Sequence, residues 1–196
     1  MTGQLRILEG EPAPDPYVRA WWRLDQGGTL TFRDVRRFGR IAVVGTDLSA
    51  LPTLRDLGPE PFDAAFTPEE LWTAVRASTV RIKTQLLNQR VVAGVGNIYA
   101  DEALWRAGVH PGARTISRPA ATRLHRSIVE VLDEGIEHRG TTLRDYRTAS
   151  GAEGENQHHL DCYGRSGLPC PRCATTLTRS VVDGRGTTRC PRCQRR

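Results

Sequence analysis

The feature that most constrains this 196-residue chain is a pair of cysteine knuckles near its end. Cys170-Pro171-Arg172-Cys173 and Cys190-Pro191-Arg192-Cys193 are separated by sixteen residues. Two Cys-x-x-Cys knuckles at that distance place four thiolates around one tetrahedral zinc ion, and the segment between them must double back as a β-hairpin. Four protein ligands leave no open coordination position, so the expected zinc is structural. Two disulfides are the competing reading. The sequence shows neither a signal-peptide pattern nor an apolar run near the ~18 residues of a membrane span, so reduced thiols and a cytoplasmic location are expected. Cys162 is left over as an ordinary buried or half-buried thiol.

Charge is concentrated at the same end. Residues 163–196 hold eight Arg and one acid, Asp183, whereas the remainder carries 20 basic residues against 21 acids. A basic cluster of this kind is the electrostatic footprint of a nucleic-acid contact. Of the 28 basic residues only Lys83 is lysine, so the clustering carries the argument and arginine identity does not. Apolar content of 38% and charged content of 26% are those of a folded chain.

Ahead of the knuckles the hydrophobic period changes once. Leu5–Leu8, Tyr17–Leu24, Thr29–Arg33 and Arg40–Val44 read as strands, with a turn at Gln26-Gly27-Gly28. A loop rich in Pro, Gly and Asp follows. From Thr67 the period is helical: Thr67-Pro68-Glu69-Glu70 supplies an N-cap, a proline at the first position and two first-turn acids. Further helices are expected over about Val80–Asn88, from Asn97 to Gly108, and from Arg118 to Glu137. A polar Gly-rich loop, Ser150–His159, then leads to the ribbon. The fold class is α+β: a partial β-sandwich, a helical domain and a zinc-ribbon hairpin, divided as residues 1–62, 63–160 and 161–196. Between two helices, Gly94-Val95-Gly96-Asn97 is a tight turn with Asn97 expected as the helix cap, an arrangement that suits a phosphate.

Gly94-Val95-Gly96-Asn97-Ile98-Tyr99-Ala100-Asp101-Glu102-Ala103-Leu104, followed by Ala107-Gly108-Val109-His110-Pro111, resembles the helix–two-turns–helix of the formamidopyrimidine-DNA glycosylase family. Asp34-Val35-Arg36-Arg37-Phe38-Gly39-Arg40, Leu57-Gly58-Pro59-Glu60-Pro61, Gly140–Tyr146, Tyr163-Gly164-Arg165 and Cys190–Gln194 are similar to that family as well, so the likeness runs from Met1 to Arg196. It implies a base-excision repair enzyme that removes oxidised purines such as 8-oxoguanine from double-stranded DNA and then nicks the abasic strand. It assigns phosphate contact to Asn97 and to Arg185 at the hairpin tip. The Met–Arg–Phe trio that fills the gap left by an extruded base falls on Met1, Arg36 and Phe38, with Arg37 between them. Lys83 matches a position near the lesion pocket.

The family opens on a Pro-Glu whose amine is the nucleophile. This sequence opens at Met1-Thr2-Gly3, which aligns beyond that segment, so the resemblance implies a truncated chain with no catalytic residue, Thr2 and Lys83 being the only other candidate amines. An incomplete sandwich with open edges is then expected. The loop holding His158 and His159 departs from the family's lesion-capping loop. A monomer is expected, acting at the bacterial nucleoid and away from membranes. The alternative function is a non-catalytic zinc-containing protein that binds abasic or distorted duplex. A zinc ribbon binding RNA or protein would leave Gly94–Leu104 unexplained.

Overall fold

The computed structural model describes residues 3–47 and 51–195, which pack as two compact units. Among the described residues the first comprises 3–46 together with 135–159; the second comprises 47 and 51–134 together with 160–195.

In the first unit β1 (Gln4–Leu8), β2 (Val18–Arg23) and β3 (Thr29–Arg33) form one antiparallel sheet, with β3 in the centre. The register sets Leu5 opposite Phe32 and Ile7 opposite Leu30. Ala20 and Trp22 stand against the same two β3 residues after a bulge at Val18–Ala20. Because side chains alternate, Leu5, Ile7, Ala20, Trp22, Leu30 and Phe32 share one apolar face. Leu5, Ile7 and Trp22 remain exposed on it, so the described residues of this unit hold a single sheet with an uncovered apolar face where a partial sandwich was expected. The expected fourth strand at Arg40–Val44 is absent. That stretch pairs with no strand among the described residues, and Ile41 and Val43 are exposed; an apolar run without a neighbouring edge has nothing to complete its ladder. The returning segment 135–159 lies along β1, where the Ile7 main-chain amide donates to Ala149 O at 2.9 Å and the Gln4 side-chain amide donates to Asp145 O. At its base the Glu155 amide donates to His138 O, and the rings of His138 and His159 stack 3.8 Å apart.

The second unit is helical with a ribbon. A short helix α1 (Pro52–Arg55) stands where only a loop was expected. In α2 (Pro68–Arg76) the Thr67 hydroxyl accepts from the Glu70 amide, and Leu71 and Val75 turn inward. Helices α3 (Ile82–Leu87), α4 (Asn97–Ala107) and α5 (Arg118–Glu137) follow within two residues of the expected bounds. The core joins Leu71, Ile82, Leu86, Leu104, Leu124 and Ile128, all fully buried, each worth about 1.5–3 kcal/mol of transfer free energy. Gly108 adopts the left-handed conformation that ends α4. Gly58 lies so close to the 89–93 turn that a Cβ there would stand 2.5 Å from Arg90 O. Strands β4 (Thr178–Val182) and β5 (Arg185–Arg189) form the expected hairpin. No helix among the described residues is long and apolar enough to cross a membrane.

Candidate metal centre and nucleic-acid interface

The four knuckle sulfurs of Cys170, Cys173, Cys190 and Cys193 lie within 4.8 Å of one another, with Cys173–Cys190 at 3.5 Å and Cys173–Cys193 at 3.4 Å. A tetrahedron with Zn–S bonds of about 2.3 Å has sulfur edges of roughly 3.8 Å, so the donor set and its spacing fit one zinc ion. Helix α4 supports this centre at its C-terminal end. The Trp105 indole donates to Cys170 Sγ at 3.4 Å, and Arg172 lies over the Trp105 ring while donating to the Trp105 and Arg106 carbonyls. Gln194 accepts from the Cys190 amide and donates to Val109 O, so one buried side chain ties a knuckle to the turn that follows α4. Cys162 is buried outside the cluster, donates to Thr188 O, and has its thiol pushed up by desolvation. Among the described residues these four cysteines are the one cluster with metal-binding geometry, and His158 and His159 do not form another.

The hairpin turns at Asp183-Gly184, both at positive φ, the signature of a two-residue type I′ turn. Asp183 is held from below by Arg81 at 2.7 Å and by the Thr84 hydroxyl at 2.5 Å. Arg185 follows as an exposed residue at the tip. The next carbonyl, Gly186 O, accepts from both Asn97 Nδ2 (3.2 Å) and Lys83 Nζ (2.9 Å). The structure therefore brings Lys83, Asn97 and the residue after Arg185 together.

Two expectations change on detail. Asn97 is the first residue of α4, and the cap is Gly96, whose backbone is extended and whose carbonyl accepts from the Ala100 amide. No side chain caps this end, which leaves the first-turn amides of α4 without an internal partner. The Asn97 side chain turns to the hairpin instead of capping the helix, with Oδ1 buried and unpartnered among the described residues. Lys83 is completely buried: Nζ lies 2.6 Å from Asp101 Oδ1 and 2.9 Å from the Thr187 hydroxyl. Burial lowers the Lys83 pKa and raises that of Asp101, and their mutual attraction opposes both shifts.

Sequence reasoning passed over Asp101 and Glu102 as functional residues. Asp101 Oδ2 accepts from the Thr188 amide at 2.8 Å. Glu102 accepts from three successive amides, those of Asp161, Cys162 and Tyr163, at 3.1, 2.9 and 2.6 Å. Two adjacent acids inside an otherwise apolar helix face were the available signal. A cavity of about 420 Å³ beside them is lined by Asn97, Tyr163, Arg179, Gly186 and Thr188.

In the first unit, buried Asp34 organises the turn that carries Arg36, Arg37 and Phe38. Its carboxylate accepts from the Arg36 and Gly39 amides at 3.1 and 2.7 Å. Arg37 takes a positive φ, Phe38 is 71% exposed, and the Arg36 guanidinium lies over its ring at 5.3 Å. Met1, the third member of the expected trio, lies outside the described residues.

A helix–two-turns–helix carrying a four-cysteine ribbon defines the class of protein. The formamidopyrimidine-DNA glycosylase H2TH domain matches residues 57–147, and the zinc finger found in FPG and IleRS matches residues 167–196. The chain is 44% identical to a formamidopyrimidine-DNA glycosylase of Desulforamulus reducens, covering 100% of this chain and 72% of that relative. It is 46% identical to that of Herpetosiphon aurantiacus, covering 99% and 71%. The MutM (Fpg) protein of Thermus thermophilus superposes with a TM-score of 0.88 at 45% identity, over 99% of this chain and 73% of that one. A Lactococcus lactis Fpg in complex with DNA containing an abasic site gives 0.88 at 34%, over 100% and 73%. The chain belongs to the formamidopyrimidine-DNA glycosylase family.

Proposed function

We propose that this chain is the damaged-DNA-recognition part of a base-excision DNA glycosylase/AP lyase, and that its partner is duplex DNA bearing an oxidised purine or an abasic site. One observation carries the reading: exposed Arg185, Asn97 and the uncapped first turn of α4 converge on a single stretch of hairpin backbone. Free amides at a helix N-terminus together with a guanidinium form a phosphate-binding arrangement. Structures of relatives with lesion-containing and abasic DNA support the choice of ligand.

Arg36 and Phe38 supply the second element. An exposed aromatic ring with a guanidinium stacked on it, on a turn fixed by a buried carboxylate, can replace an extruded base: the ring enters the stack and the guanidinium offers donors to the orphaned partner base. Arg37 reaches phosphate. When bound, the zinc holds the hairpin and performs no chemistry on DNA. The functional divisions are residues 1–62 for the wedge, 63–160 for the helical phosphate site and 161–196 for the ribbon; the family matches over 57–147 and 167–196 support the latter two, and 135–159 returns to pack with the sheet. A monomer acting on the bacterial chromosome in the cytoplasm fits this reading.

The test is a gel shift at low salt with a duplex carrying a tetrahydrofuran abasic analogue, run beside borohydride trapping on a natural abasic site. Tighter binding to the abasic duplex than to the intact one is expected, and equal affinity for both would overturn the assignment. A shifted band without a covalent adduct identifies the non-catalytic alternative.

A further inference from the structure

Lys83 is fully enclosed, hydrogen-bonded to the hairpin and ion-paired with Asp101. Nζ donates to Gly186 O and to the Thr187 hydroxyl, both at 2.9 Å, and Asp101 Oδ1 stands 2.6 Å away as its ion-pair partner. Fully buried, Nζ has no face open to a phosphate, and an ammonium in this ion pair presents no lone pair to a sugar carbon. Asp101 faces both ways: Oδ1 pairs with the Lys83 charge and Oδ2 accepts from the Thr188 amide. The pair thus grips three consecutive hairpin residues, 186–188, from two helices. The residue just before that grip is Arg185, and Gly186 O is shared with Asn97.

We infer that Asp101 is a positioning residue: with Lys83 it fixes the strand that follows the hairpin tip against Asn97, and so sets where the Arg185 guanidinium and the Asn97 main-chain amide present their donors to DNA. The inference rests on the proposed phosphate contacts of those two residues, and it makes Lys83 a positioning residue rather than a DNA contact. A buried ion pair adds little net stability compared with an apolar pair, whereas losing one partner leaves the other uncompensated. Fixed geometry is therefore the advantage this pair confers.

Asp101→Asn separates this account from simple electrostatics. An amide keeps the volume, but its NH2 must face either the Lys83 ammonium or the Thr188 N–H, donor against donor. Removing an acid beneath a basic surface would, by charge alone, tighten DNA binding. The positioning account predicts the opposite sign: affinity for the tetrahydrofuran duplex falls about tenfold. It also predicts that the slope of log Kobs against log salt becomes shallower by about 0.9, the loss of one phosphate contact, although no cation was removed. In an Arg185→Ala background the same substitution costs less than it does alone, because part of its route has gone.

Amide exchange at residues 185–188 reads the lock without DNA and is expected to accelerate in Asp101→Asn while zinc stays bound at one per chain. Should that variant fail to hold zinc, Lys83→Met reports the same exchange and salt slope with the Asp101–Thr188 bond retained. Unchanged exchange, tighter binding, or losses that multiply fully with Arg185→Ala overturn the inference. Failure of the unaltered chain to prefer the abasic duplex overturns the DNA reading instead, and exchange at 185–188 still decides the positioning role.

Discussion

Glu102 is a buried carboxylate whose three hydrogen bonds all come from main-chain amides. Desolvation raises its pKa and the three amides oppose that rise. A carboxylate suits this role because it is acceptor-only, so every lone pair can face a donor. Glu102→Gln replaces one acceptor with an NH2 that meets an amide N–H. The expected cost is about 1–3 kcal/mol, that of a buried donor left without an acceptor, read as a lower denaturation midpoint at unchanged m-value. The raised pKa also has a sign. The native state holds the Glu102 proton more tightly than the unfolded chain, so this group favours folding at low pH, and its contribution is lost as pH rises through the folded value. Glu102→Gln should therefore narrow its deficit against the unaltered chain when both are compared at higher pH. A deficit that widens instead would mean that the three amide bonds outweigh desolvation.

At the scale of elements, the ribbon is the part whose order depends on metal. Strands β4 and β5 pair with each other, and a two-stranded hairpin is at best marginal alone. Cys190→Ser should release zinc, measured as metal content per chain, and abolish protection of the β4–β5 amides, while the helices around Leu104 and Leu124 keep their circular dichroism. A protected hairpin without zinc would refute the structural role of the metal. The same contrast explains what was legible beforehand. Knuckle spacing, the Thr67-Pro68 cap and the apolar period of α5 are local signals, and they located the ribbon and the helices. The Arg40–Val44 stretch failed because a strand needs a partner edge that composition cannot supply. Lys83 was misleading for a related reason: its burial is produced by Asp101, 18 residues on, and by a hairpin more than 100 residues on. Asn97 was placed one position early because Gly96, with no side chain to offer, takes the cap. The Asp34-centred turn was legible only as a motif; its carboxylate bonds to Arg36 and Gly39 are a matter of backbone conformation.

For the molecule as a whole, charge placement decides how DNA binding responds to salt. Residues 163–196 carry a formal +7 with neutral cysteines; four thiolates on one zinc ion add −2 and leave about +5. Elsewhere acids and bases nearly cancel, so screening acts mainly on the ribbon and on the exposed arginines that reach phosphate. Each phosphate neutralised contributes about −0.9 to the slope of log Kobs against log salt on duplex DNA. Arg185→Ala should make that slope shallower by about one such step and weaken binding to intact and abasic duplexes by the same factor, because a phosphate contact carries no lesion information. Phe38→Ala is expected to do the reverse: the slope stays unchanged while the preference for abasic over intact duplex shrinks, since a wedge contributes only where a base is missing. Anisotropy titrations of both duplexes across a salt series measure both quantities in one experiment. If Arg185→Ala altered the preference and left the slope alone, the hairpin tip would sense the lesion and would not be a phosphate contact.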